Sequence, residues 1–105
     1  MAKLAKKVIW WTDVVDAAKY AIRIVTAGTA FDYATAPIAE PAEGAVGTDQ
    51  EFDLSTVAAQ LPKGSYDIYV TALDVAGNES DPFTLAAAAA LNFTAPAAPT
   101  AGGFR

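Results

Sequence analysis

The chain has no cysteine and no histidine among its 105 residues. Without cysteine there is no disulfide to staple the fold and no thiolate to act as nucleophile or metal ligand, so the core must hold by packing. Without histidine the commonest general base and the commonest metal ligand are lost together. Histidine-based triads and thiol nucleophiles are thereby excluded. Basic residues are scarce as well: seven Lys and Arg stand against twelve Asp and Glu, a net charge of −5. Nucleic acid is not expected as a partner, because phosphate binding needs clustered cations. Long apolar runs are missing too. The alanine-rich stretch at 86–91 falls far short of the ~20 residues that span a bilayer, so no membrane insertion is expected. The charged start, with Lys3, Lys6 and Lys7, resembles the opening of a signal peptide. Asp13 and Asp16 interrupt the apolar run behind it, however, and no secretory core forms. A protein made in a cytoplasm and not exported by the general secretory route is the expectation.

What remains for chemistry is carboxylate. Asp13 and Asp16 share a turn, and Asp49, Glu51 and Asp53 alternate along one short strand. Carboxylate pairs can hydrolyse glycosides, but turn formation and solvation account for these. Gly44 and Gly47 lie in a proline-containing loop, not between a strand and a helix, so they do not form a phosphate cradle. Asp74, Asn78, Glu79 and Asp81 cluster around one hairpin and offer oxygen ligands. Their spacing fits no EF-hand loop, and a turn held by Asp and Asn side chains explains them better. The reading is therefore non-enzymatic, with no catalytic residue, cofactor or metal assigned.

The pattern that is present is β. Residues 4–12 are rich in β-formers and place Ile9 and Trp11 on one face, Val8 and Trp10 on the other. Residues 14–18 read as a turn. Residues 19–26 alternate, with Tyr20, Ile22 and Ile24 facing one way and Lys19, Arg23 and Val25 the other. A turn at 27–29 leads to an expected strand over 31–35, and residues 37–49, with two prolines, read as a long loop over one edge. Residues 50–54 return as a short strand with Phe52 and Leu54 inward, and 55–60 take a helical turn. Residues 65–74 alternate best: Tyr66, Ile68, Val70 and Ala72 against Asp67, Tyr69 and Thr71. After a turn at 76–78, residues 83–93 form the last strand. The alanines at 86–90 favour helix on propensity, but their place after a hairpin turn, among Phe83, Leu85 and Phe93, argues for strand. Residues 94–105 carry two prolines, two glycines and no core pattern, and read as a tail or linker. This divides the chain into a domain over 1–93 and a tail over 94–105.

Two groups of residues carry a family resemblance. Trp11, Ala17 and Tyr20 have the spacing of the second and third strands of a fibronectin type III domain. Leu61, Pro62, Gly64 and Tyr66 are similar to the lead-in to its sixth strand, and Asp74-Val75-Ala76-Gly77-Asn78-Glu79-Ser80 resembles the turn common in bacterial and phage members. The resemblance implies an all-β, immunoglobulin-like two-sheet antiparallel sandwich, and a corner in which the Tyr66 hydroxyl bonds back to the preceding loop. The implied core is Ile9, Trp11, Tyr20, Ile22, Leu61, Tyr66, Ile68 and Val70. The departure is at the start: ten residues precede Trp11, room for one strand where the family has two. The first strand is then shortened, or supplied by the tail or by a neighbour through strand addition.

Function is expected to lie at that edge and in the tail. Val8, Trp10, Tyr69, Leu91 and Phe93 are the candidate partner contacts, and the basic N-terminal tip could meet an acidic surface on a neighbouring copy. Stand-alone domains of this type resemble decoration or accessory proteins of phage capsids and tails. The expected role is thus a structural or adhesive protein of a virion, with copies of itself or a capsid or tail protein as partners and surface carbohydrate as a further ligand. The alternative is a carbohydrate-binding or spacer module of a secreted bacterial protein, which would place it outside the cell.

Overall fold

In the computed structural model, which describes residues 2–104, the fold is all-β with two antiparallel sheets. The strands are β1 (Val8–Trp11), β2 (Lys19–Thr26), β3 (Gln50–Asp53), β4 (Gly64–Leu73) and β5 (Phe83–Leu91), with a 3-10 helix at Leu54–Gln60. One sheet pairs β1 with β3; the other runs β2-β4-β5. The inward faces of both sheets supply one core: Ile9 and Trp11 from β1, Tyr20 and Ile22 from β2, Ile68, Val70 and Ala72 from β4, Leu91 from β5, with Leu54 and Leu61 at the ends of the helix. Period-2 alternation produces these faces, since every second side chain of a strand points to the same side.

The sequence expectations hold in outline and fail at particular places. The ladder of β1 begins at Val8, not at residue 4. Its partner β3 ends at Asp53, where the chain turns into the 3-10 helix. The Asp53 carboxylate caps that helix by accepting from Ser55 N–H and also takes the Lys7 N–H, so residues 4–6 have no strand to pair with. The predicted strand over 31–35 is an irregular turn instead. Its intended place, the outer edge of β2, is filled by the proline-containing segment: Ile22 N–H donates to Ala39 O at 2.9 Å, Tyr20 N–H to Pro41 O at 2.9 Å, and Ile38 N–H to Ile22 O at 2.8 Å. Residues 31–35 cross the outer face of the sheet and cover Arg23, which is buried and not solvent-facing. The alanine-rich segment is a strand, though an irregular one. Its register against β4 shifts near Ile68, and Ala88 takes a left-handed φ of 51°. The last strand closes at Leu91, two residues before the expected end. Residues 94–104 carry no regular structure.

Candidate functional site

β1 is hydrogen-bonded to β3 on one side, and among the described residues no strand pairs with its other side. Across from that bare edge runs β5, in the other sheet. Between them is a cleft of about 460 Å³ lined by residues 8–12 together with Phe83 and Leu85. Six of its seven lining residues are apolar, Thr12 being the exception. Val8 and Trp10 stand outward beside it, Trp10 58% exposed, and Phe83 at the far wall is 59% exposed. Large apolar side chains held in water at the rim of an unpaired strand are unusual for a monomer surface, because edges are normally protected by charge, proline or cover. Lys3, Lys6 and Lys7 give positive charge at one end of the edge only.

The other predicted contacts are distributed unevenly. Leu91 is not a surface contact. It is 2% exposed and part of the core, because the β5 register sets it opposite Gly64 on the inward face. Tyr69 is half-buried: its ring meets Phe31 edge-on, centroids 5.4 Å apart, and its hydroxyl donates to Thr29 O at 3.2 Å. Phe93 is half-buried, and with Leu4 it lines a shallow hollow beside the N-terminal segment. Only Val8 and Trp10 stay open at the cleft. Of the predicted core, Ile9, Trp11, Tyr20, Ile22, Leu61, Ile68 and Val70 are buried. Tyr66 is half-buried and its hydroxyl donates to Pro62 O, closing the corner before β4.

At the C-terminal end of β1 lies a carboxylate pair. The Tyr20 hydroxyl donates to Glu43 Oε2 at 3.0 Å and also lies 3.3 Å from Asp13 Oδ1, while Gly47 N–H donates to Asp13 Oδ2 at 2.8 Å. The hydrogen bond between the two carboxyls, first of all, lowers the Asp13 pKa, helped by the Gly47 N–H. The same bond and burial raise that of Glu43. Burial, chiefly, pushes the Tyr20 hydroxyl up to about 12. This cluster pins the 43–47 loop to the end of β1: both Asp13 oxygens and Glu43 Oε2 meet protein donors, while Glu43 Oε1 is buried with no protein donor against it.

On the outer face, Arg23 donates to Glu79 Oε2 at 2.6 Å, to Thr35 O at 2.7 Å, and to Thr71 Oγ1 and Tyr33 O at 3.3 Å. Its guanidinium also lies 5.4 Å from the Phe31 ring centroid. Three of the four hairpin residues that offer oxygen ligands are occupied in the same way: Asp74 accepts from both nitrogens of Asn78, and Glu79 holds Arg23 and Thr71. Sequence reasoning missed Arg23 because strand alternation points it outward, and the segment that covers it was read as a strand.

The geometry therefore leaves the β1–β5 cleft as the place with unused binding capacity: free backbone donors and acceptors on one wall, apolar side chains on both, and basic charge at one end. No family model matches the chain, and neither the curated proteins nor the solved structures contain a match.

Proposed function

We propose that this protein is a non-enzymatic structural or adhesive component that works by strand addition at the open edge of β1, in a domain of the fibronectin type III kind. The carrying observation is the bare β1 edge beside an apolar cleft with Trp10 exposed at its rim. An incoming extended segment would satisfy the free N–H and C=O groups of β1 and bury apolar surface, at about 25 cal/mol per Å². Support for the fibronectin-like assignment comes from the partition of β1 and β3 from β2, β4 and β5, and from the Tyr66 corner. The likeness to phage members favours a virion setting, with further copies or a capsid or tail protein as partner and the extended residues 94–104 as a second point of attachment. The test is the mass of the full chain in solution by light scattering over a wide concentration range. Assemblies larger than one chain support the reading, and a monomer throughout argues against self-assembly.

A second reading has an observation of its own. Trp10 and Phe83 are both more than half exposed on opposite sides of one groove, an arrangement suited to stacking on sugar rings. A carbohydrate-binding module would change its tryptophan fluorescence on titration with oligosaccharides, and would remain monomeric while doing so.

A further inference from the structure

We infer that the occupant of the β1 edge is the β1 edge of a second copy, paired antiparallel about a two-fold axis at Trp10. The inference rests on the strand-addition reading above and adds the partner and the register. Three features of β1 point to it.

The first is hydrogen-bond parity. Leu54 N–H donates to Lys7 O at 2.8 Å, and Val8 through Trp11 continue that register against β3. In an antiparallel ladder a residue directs its N–H and C=O to the same side, and the next residue directs them to the other. Lys7, Ile9 and Trp11 therefore use their backbone groups on β3. Val8 and Trp10 aim theirs at the open edge, and Thr12 does so where the extended path continues. A second β1 can bond there only by matching even-numbered residues with even-numbered residues. Centring on Trp10 does this: Trp10 meets Trp10, and Val8 meets Thr12.

The second is face matching. In this register Ile9 of one copy lies beside Trp11 of the other on the core-facing side, next to the cleft. The outward face brings the two exposed Trp10 side chains together, each flanked by Val8. The apolar surface left bare in one copy is covered by the same surface of the other, as a two-fold interface requires.

The third is charge. Lys3, Lys6 and Lys7 precede the strand, and Asp13 and Asp16 follow it. Antiparallel pairing about Trp10 sets Lys7 of each copy opposite Asp13 of the other and lays the basic tip along the acidic turn. Parallel pairing would stack like charge on like charge at both ends. A shift by two residues in one direction sets Ile9 against Asp13, and in the other sets Lys7 against Trp11. The register centred on Trp10 avoids both mismatches.

The absence of cysteine makes the test direct, since an introduced thiol can pair only with another copy. In the proposed register, hydrogen-bonded partners lie with Cα atoms about 5.5 Å apart, within reach of a disulfide. Trp10→Cys should form a disulfide dimer with itself under mild oxidation. Val8→Cys and Thr12→Cys should each fail to do so alone, because like positions are four residues apart along the strand, about 13 Å. Mixed together, they should form a heterodimer. Trp10→Lys in the cysteine-free chain should lose the dimer seen by light scattering with its melting transition retained. Equal crosslinking of all three cysteine variants would overturn the register as mere collision. Crosslinking in none, with the parent chain still assembled, would overturn the register and leave strand addition elsewhere standing. Loss of the assembly on removing residues 94–105 would identify the tail as the occupant instead. A parent chain that stays monomeric would remove both this inference and the self-assembly it rests on.

Discussion

Arg23 is 5% exposed on the face of β2 opposite the main core, and it sets the energetics of that face. Burial by itself would raise the Glu79 carboxyl, but the Arg23 hydrogen bond, the Thr71 hydroxyl and the Arg23 charge outweigh it and hold Glu79 below its ordinary value. Removing one partner of such a pair leaves an uncompensated charge, which costs about 3–5 kcal/mol in buried sites. With the Glu79 side chain 19% exposed, Glu79→Ala should lie at the low end of that range, near ~3 kcal/mol by denaturant titration. Replacing both, as Arg23→Met with Glu79→Leu, should cost less than the sum of the single changes. A loss below ~1 kcal/mol for Glu79→Ala would mean the pair is solvated. The carboxyl pair Asp13–Glu43 behaves differently with pH. Asp13 is depressed, so its contribution is present above its ordinary 3.8 and lost as pH falls through its lowered value. Glu43 is raised, so its contribution is full below its ordinary 4.5 and lost as pH rises through its raised value. The pair is at its best in the mildly acidic window between the two. Glu43→Gln keeps a hydrogen-bond donor at all pH values. It should raise the melting temperature near neutral pH and above, and change it little at about pH 4. An equal effect at both would show that the two carboxyls do not share a proton.

Among the elements, β5 is the least regular, and the cause is local. Asp67 accepts from Ala88 N–H at 2.8 Å and from Gly28 N–H at 2.9 Å. Those two bonds, the first of them the larger, lower the Asp67 pKa, and they tie the 27–29 turn and the irregular stretch of β5 to the same point of β4. Ala88 adopts its left-handed φ there, a conformation that costs L-residues about 1–2 kcal/mol and glycine almost nothing. Ala88→Gly should therefore stabilise the protein by about 0.5–1 kcal/mol after the added chain entropy of glycine is counted, and Ala88→Val should destabilise it by more than ~1 kcal/mol. Identical melting curves for both would place the backbone of β5 elsewhere. Legibility in the sequence followed the same division. Strands β2 and β4 were legible because alternation marks a half-buried strand, and Tyr66 and Leu61 because a corner needs both. The outward Val8 and Trp10 followed from the same period. The 31–35 segment was not legible: Phe31 and Tyr33 are β-formers, but here they pack edge-on, 4.7 Å between centroids, to roof Arg23. Leu91 reads wrongly because the five alanines before it give no period from which to read its face. The cleft could not be read at all, since it depends on how far β5 lies from β1.

For the whole molecule, shape separates a folded body from its appendage. The Cα radius of gyration is 17.0 Å and the extents are 65 × 31 × 18 Å, whereas a compact chain of this length has a radius near 13 Å. Residues 94–104 follow the end of β5 without regular structure and with Ala95 alone partly covered. Among the described residues, none of the core cluster lies beyond Phe93. Two arrangements of the tail are thus separable by measurement. If it projects from the body, removing residues 94–105 should bring the radius of gyration in X-ray scattering, taken at a dilution where the chain is monomeric, down toward ~13 Å and change stability by no more than ~0.5 kcal/mol, as for exposed positions generally. If instead the tail folds back along β1 in the same chain, the parent protein should already scatter as a compact particle. Truncation would then uncover Val8, Trp10 and Phe83 along the cleft and lower the melting temperature. The projecting arrangement leaves the β1 edge free for another chain, so the scattering of the truncated and parent proteins decides whether pairing between copies has a vacant edge to use.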